Sequence, residues 1–270
     1  MKLSKFNLKN IDDDSIVVTI AKRKSGKTVL IKQIAHSKRK FACGVLMCPT
    51  ERMNKDYKMF FPDLFIHYDV SVNLIARVIE RQMLMVDKMD AKHQQGLTVD
   101  PRMLLIMDDC MSEKGKWRKD PIVNRIFVEG RHYKITYVLA MQNPMDVGPE
   151  LRGNMDYVFL LRCKSKSERE KLRVHYASVV DAKIFREVFD KCTENYGCMV
   201  VDVNAGSTRL EDNIFYYRVS EKEMHRKFVF GDKKFVAYHE HYYDPDWNKR
   251  GQSNRLKDLL KVDGPAVILR

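Results

Sequence analysis

Five short apolar runs punctuate the first 161 residues of the chain, at 15–20, 44–47, 103–107, 135–141 and 157–161, each flanked by charged or turn-forming positions. They show no clean alternation of apolar and polar residues, which is the pattern of strands buried on both faces rather than of strands with one wet face. Between the runs the period lengthens. Apolar side chains recur at 72, 75, 79, 83 and 86 within 72–89, and the segments 27–37 and 121–129 also read as helices. Strands alternating with helices predict an α/β fold with a mostly parallel central sheet flanked by helices.

Beyond position 161 the charged segments 165–176 and 181–190 read as helices, and 198–203 and 214–219 as β-like runs that extend the sheet. From 220 onward the composition shifts to aromatic and charged residues. The expected organisation is therefore a nucleotide-binding domain over 1–219 and a tail or small subdomain of uncertain order over 220–270. Within the latter, His239 and His241, read on a strand, face opposite sides, which argues for a structural or surface role rather than a metal site. Residues 90–101 read as a loop, and no internal repeat or low-complexity tract interrupts the chain.

Charge changes this picture more than composition does. Lysines and arginines number 49 against 36 acids, a formal charge of +13 with a pI near 9.4, which favours a polyanionic partner such as nucleic acid. With 44% hydrophobic residues the chain can bury a sizeable core, so disorder is excluded for most of it. No apolar run approaches the roughly 18 residues of a membrane span, and the N-terminus lacks a secretory h-region, so a soluble, unexported protein is expected. Six cysteines without a C-x-x-C pair suggest neither a zinc ribbon nor a disulfide framework, and point to a reducing compartment.

The sharpest chemical signal is Ala21-Lys-Arg-Lys-Ser-Gly26-Lys27-Thr28, directly after one apolar run and opening a helix, the context that a phosphate-binding loop requires. Ala21 departs from the usual first-position glycine, which is tolerable if its φ stays negative. Such a loop needs backbone N–H groups aimed at phosphates, a lysine for the β/γ oxygens and a hydroxyl for Mg2+. Ser25, Gly26, Lys27 and Thr28 supply them, so ATP and Mg2+ are the expected cofactors. A metal-binding carboxylate should stand at the end of a buried strand, and the run 103–107 ends in Asp108-Asp109. The expected division is Asp108, with Thr28, for the Mg2+ shell and Asp109 as general base on the attacking water. The run 135–141 is followed by Gln142, an amide at a strand's carboxyl edge, placed to orient that water or sense the γ-phosphate. This order of loop, acids and amide suits water as acceptor.

On these residues, together with Gly130-Arg131-His132 and Leu151-Arg152-Gly153-Asn154, the sequence resembles the genome-packaging ATPases of the nucleocytoplasmic large DNA viruses, the poxvirus-type branch of the FtsK/HerA superfamily. The resemblance spans about 15–161, over half the chain. It implies a RecA-like P-loop NTPase fold and a homo-oligomeric ring that moves double-stranded DNA into a capsid by ATP hydrolysis at subunit interfaces. It further implies a capsid or portal partner and residence in the cytoplasm of the infected host cell, at the virus factory, with the virion as a second location. Ring ATPases of this kind place an arginine on the neighbour's γ-phosphate, because transition-state charge is otherwise uncompensated. Arg131 and Arg152 are the two candidates, and sequence does not choose between them.

Two basic clusters suit a DNA backbone or solvent. One is Lys38-Arg-Lys40, at the far end of the helix from the phosphates; the other is Lys114, Lys116, Arg118 and Lys119 around Trp117, just after the acids. The competing readings are a nucleotide or nucleoside kinase, which shares the phosphate loop but for which no Arg-rich lid is visible, and a non-enzymatic nucleic-acid-binding assembly protein on a P-loop scaffold.

Overall fold

A computed structural model describes residues 3–110, 114–207 and 209–246. Its centre is an eight-stranded sheet: β1 (Ile16–Ile20), β2 (Cys43–Met47), β3 (Ile66–His67), β4 (Met103–Met107), β5 (Ile135–Met141), β6 (Tyr157–Leu161), β7 (Cys198–Asp202) and β8 (Ile214–Tyr217). The spatial order is β3-β2-β4-β5-β1-β6-β7-β8. The pairings from β3 to β6 are parallel, whereas β7 and β8 run antiparallel to their neighbours. Every residue of β1, β2, β4, β5 and β6 is buried, the outcome expected of apolar runs covered on both faces.

The helices in chain order are α1 (Lys27–Ser37), α2 (Glu51–Asn54), α3 (Val72–His93), α4 (Lys114–Trp117), α5 (Pro121–Glu129), α6 (Pro149–Arg152), α7 (Lys166–Tyr176), α8 (Ala182–Cys192), α9 (Leu210–Asn213), α10 (Glu221–Met224) and α11 (Lys233–Tyr242). Their starts are written locally. Ser71, Asp120, Ser165, Asp181 and Asp232 each accept a first-turn N–H of the helix that follows, and Pro121 stands at the first position of α5. Helix α3 runs to His93, past the end at 89 that its apolar period indicates. Its last turn is solvated and carries Lys92 and His93, which favour a helix C-terminus without any apolar contact. None of the described helices is long and apolar enough to cross a membrane.

The segment after Ser220 folds back on the β2 side of the sheet. Phe230 is fully buried and stacks on Phe61 at 4.8 Å between ring centroids, and Phe235 stacks on Phe65 at 4.1 Å. Backbone N–H groups of Phe230, Gly231 and Asp232 donate to Phe60, Arg39 and Phe41 carbonyls. Burial of each phenylalanine contributes roughly 1.5–3 kcal/mol. Gly44 of β2 is small for this reason, since a Cβ there would stand 2.6 Å from Phe230 Cε1 and 2.9 Å from Phe61 Cζ. His239 and His241 lie on α11, not on a strand. His239 Nδ1 accepts the Leu64 N–H at 3.4 Å, a tie between α11 and the loop before β3. Residues 247–270 of this segment lie outside the described residues.

Candidate active site

Because β1, β4 and β5 are parallel neighbours, the residues that follow them meet at one edge of the sheet. Ile20 is in register with Met141, and Met107 with Leu139, so the loop from Ala21, the acids from Asp108 and Gln142 converge. Ala21 is not among the residues with positive φ, as its place in the loop requires, and its N–H donates to the Met141 carbonyl at 2.9 Å. The loop then turns through Lys24 at φ +60° and Gly26 at φ +93° into α1. Ser25 Oγ donates to the Lys22 carbonyl at 2.6 Å and closes the turn. No side chain caps Gly26, so the first-turn N–H groups of α1 are available to an anion.

Lys27 joins the two acids. Its Nζ lies 2.6 Å from Asp108 Oδ1 and also pairs with Asp109 Oδ1. Asp108 is 2% exposed, and its second oxygen accepts the Tyr57 hydroxyl at 2.6 Å. Asp109, at φ +53°, is less buried and is held from both flanking strands: Thr50 Oγ1, past the end of β2, donates at 3.0 Å, and Gln142 Nε2, past the end of β5, at 3.2 Å. Burial pushes Asp108 above the usual carboxylate range, with the charge of Asp109 adding to it and that of Lys27 opposing it. Burial acts the same way on Asp109, but hydrogen bonds and charge from Lys27, with help from Thr50 and Gln142, outweigh it and hold this carboxyl low. Lys27 itself, though desolvated, is held above the ordinary lysine value by the two acids.

An open cleft of about 780 Å³ runs over the loop and is lined by Gly26, Lys27, Thr28, Thr50, Asp109 and Gln142 among others. Sequence reasoning missed Thr50 and Tyr57. Thr50 follows the run 44–47 and could have been found as a hydroxyl at a third strand end, whereas nothing local marks Tyr57. Cys48 Sγ lies within 4.8 Å of ligand atoms of Asp108 and Asp109. Burial, with Asp108's charge, pushes its thiol up to about 12, and a soft sulfur suits a hard ion such as Mg2+ less than the carboxylate oxygens do.

The two arginines are placed differently, and among the described contacts neither touches Lys27, Asp108 or Asp109. Arg131 precedes β5 at the opposite edge of the sheet, 3.8 Å from Asp156, whose carboxylate accepts the Ile16 N–H at the start of β1. Arg152, on α6, donates from Nε to the Val147 carbonyl at 3.0 Å and lies 5.9 Å from the Tyr176 ring centroid. Of the first basic cluster, Lys38 is corrected: it is 4% exposed, its ammonium bound to Asp13 Oδ1 at 2.6 Å and to the Ile11 carbonyl, and it meets neither solvent nor DNA. Lys40 is exposed. In the second cluster Lys119 is exposed and Arg118 partly so, while the side chains of Lys114 and Lys116 lie outside the described residues. Trp117 is buried and donates to the Cys110 carbonyl at 3.1 Å, tying this basic segment to the residue after the acids.

The chain is similar to several known proteins. The sequence profile of the poxvirus A32 protein family matches residues 3–201. Protein L437 of Acanthamoeba polyphaga mimivirus is 40% identical over 261 residues, covering 96% of this chain and 89% of that protein. Protein 015R of Frog virus 3 (isolate Goorha) is 35% identical over 224 residues, covering 81% and 67%. Among solved structures, the genome packaging NTPase B204 from Sulfolobus turreted icosahedral virus 2 in complex with AMPPCP superposes with a TM-score of 0.53 at 16% identity, covering 77% of this chain and 99% of that one, a likeness of fold. Family profile and relatives together identify the chain as a member of the poxvirus A32 protein family.

Proposed function

We propose that this chain hydrolyses ATP with Mg2+ and uses the cycle to drive double-stranded DNA into a viral capsid from a homo-oligomeric ring. The observation that carries the reading is the meeting of Lys27, Asp108, Asp109, Thr50 and Gln142 at one sheet edge beside the phosphate loop. The carboxylate pair already accommodates a cation, the Lys27 ammonium, and its oxygen donors suit a hard divalent ion. Thr28 and Asp108 would hold Mg2+, which when bound neutralises charge on the β- and γ-phosphates.

The side chains then divide the work. Lys27 exchanges its carboxylate partners for phosphate oxygens as nucleotide arrives. That exchange removes the charge that holds Asp109 low and raises its basicity toward the attacking water. Gln142 and Thr50 fix the carboxylate from either side. Transition-state charge on the γ-phosphate is met across a subunit boundary by Arg131 or Arg152, neither of which reaches the acids of its own chain. The net charge of +13, with Lys40, Arg118 and Lys119 at the surface, supports a DNA backbone as partner, and Trp117 gives a path from the acids to the second cluster. B204, which shares the fold, is a genome packaging NTPase; a capsid or portal component and the cytoplasm of an infected cell complete the proposal.

The test is phosphate release from ATP with and without duplex DNA, and with a nucleoside as acceptor, in the intact protein and in Lys27→Ala. The reading expects Lys27-dependent release that duplex DNA raises and no phosphorylated nucleoside. Transfer to the nucleoside would make the protein a kinase, and turnover unchanged in Lys27→Ala would remove the phosphate-loop assignment.

A further inference from the structure

A second cleft, of about 610 Å³, adjoins the first. The two share Lys22, Arg23 and Lys24 and so lie on either side of the phosphate loop. The far wall of the second is built by the segment before β7. Because β7 is antiparallel, Cys198 at its start pairs with Leu161 at the end of β6, which brings residues 193–197 to the same sheet edge as the loop. Asn195 and Tyr196 both hold positive φ, +47° and +58°, a strained pair that turns the chain tightly there. The result is a tyrosine beside the phosphate loop: a Cβ built on Gly26 would lie 3.5 Å from Tyr196 Cβ and 3.6 Å from its Cδ1. Yet Tyr196 is 72% exposed, so most of this large aromatic residue faces no protein neighbour.

Arg23, Lys24, Arg162 and Lys164 around it are exposed, while several of the other polar groups are engaged. Glu168 is bound by Lys22 and by the Cys163 thiol, and the Thr193 hydroxyl donates to the Phe189 carbonyl at 2.8 Å. The Asn195 amide has no hydrogen-bond partner among the described residues, and an amide both donates and accepts.

Resting on the ATP reading above, we propose that the second cleft is the base subsite, in which a purine stacks on the Tyr196 ring while its triphosphate lies along the loop toward Lys27. Recognition here is by stacked area, so purines bind better than pyrimidines. Asn195 can pair with the edge of either adenine or guanine, which leaves those two little distinguished.

The experiment is calorimetric titration of the whole protein with ATP, GTP, CTP and inorganic tripolyphosphate, comparing the unaltered chain with Tyr196→Ala, Tyr196→Phe and Lys27→Ala. Loss of one base–aromatic stack corresponds to about 5- to 150-fold weaker binding. Tyr196→Ala should therefore weaken ATP and GTP by about that factor, leave tripolyphosphate affinity and melting temperature unchanged, and be rescued by Tyr196→Phe. ATP affinity unchanged in Tyr196→Ala, an equal loss for tripolyphosphate, or CTP binding as tightly as ATP in the unaltered chain would overturn the base subsite. Tripolyphosphate binding that ignores Lys27→Ala would instead overturn the phosphate-loop reading on which it rests.

Discussion

Asp108 and Asp109 are adjacent in sequence and chemically alike, yet their surroundings separate them. Asp108 is buried against Tyr57 and pushed up; Asp109 lines the cleft, held low by Lys27, Thr50 and Gln142. If the first serves the metal and the second the water, the amide variants should fail differently. Asp109→Asn is expected to bind Mg·ATP near normally and lose turnover by roughly 10²- to 10⁴-fold, the range for a general base. Asp108→Asn should first raise the Mg2+ concentration needed for half-maximal turnover. Nucleotide titration and Mg2+ dependence of phosphate release check both, and equal loss of nucleotide binding in the two variants would refute the division. Lys27, Asp108, Asp109 and Gln142 were legible because each ends an apolar run or follows a glycine turn. Thr50, a hydroxyl just past a third apolar run, was marked locally but not placed, and Tyr57 was not marked at all; only the β2–β4 pairing brings the two to the acids, and sheet order is not written in local periodicity.

At the scale of elements, apolar runs marked the five central strands closely, and the Gly26 turn before α1 and Asp120-Pro121 before α5 marked those helices, because two-sided burial and helix starts are local properties. What escaped was set by partners. Strand β3 is two residues long and exists by pairing with β2, and the antiparallel direction of β7 leaves no trace in a run buried on both faces. The aromatic stretch after 220 takes its order from rings on other elements: Phe228 meets His36 of α1 at 4.8 Å, and Arg226 lies 3.0 Å from His36 Nδ1. Burial, then the charges of Arg39 and Arg226, lower the His36 pKa to about 4, only partly offset by Glu223. With the folded value depressed, the unfolded chain takes up the proton first. The contribution of His36 is thus complete above about pH 6.5 and is lost as pH falls toward 4. Urea midpoints measured from pH 7 to pH 4 should therefore fall more steeply for the unaltered chain than for His36→Gln. Parallel profiles would mean that this contact does not respond to protonation.

For the whole molecule, the parallel strands gather the loop 21–28, both acids and Gln142 at one edge, while Arg131 pairs with Asp156 at the other. A chain so built presents the proposed catalytic groups and one of the candidate arginines at opposite ends of the strands, a disposition that the proposed head-to-tail ring can use. The α/β class was legible from alternation alone; the wall made by residues 193–197 required the reversal at β7. If hydrolysis at this edge moves the protein along duplex DNA whatever its sequence, it should displace a third strand annealed to a linear duplex, which fluorescence follows as ATP is added. Displacement should depend on ATP, persist on unrelated flanking sequences, and vanish with Asp109→Asn under conditions where that variant still binds the duplex. DNA-stimulated phosphate release without displacement of the strand, on any flanking sequence, would contradict it.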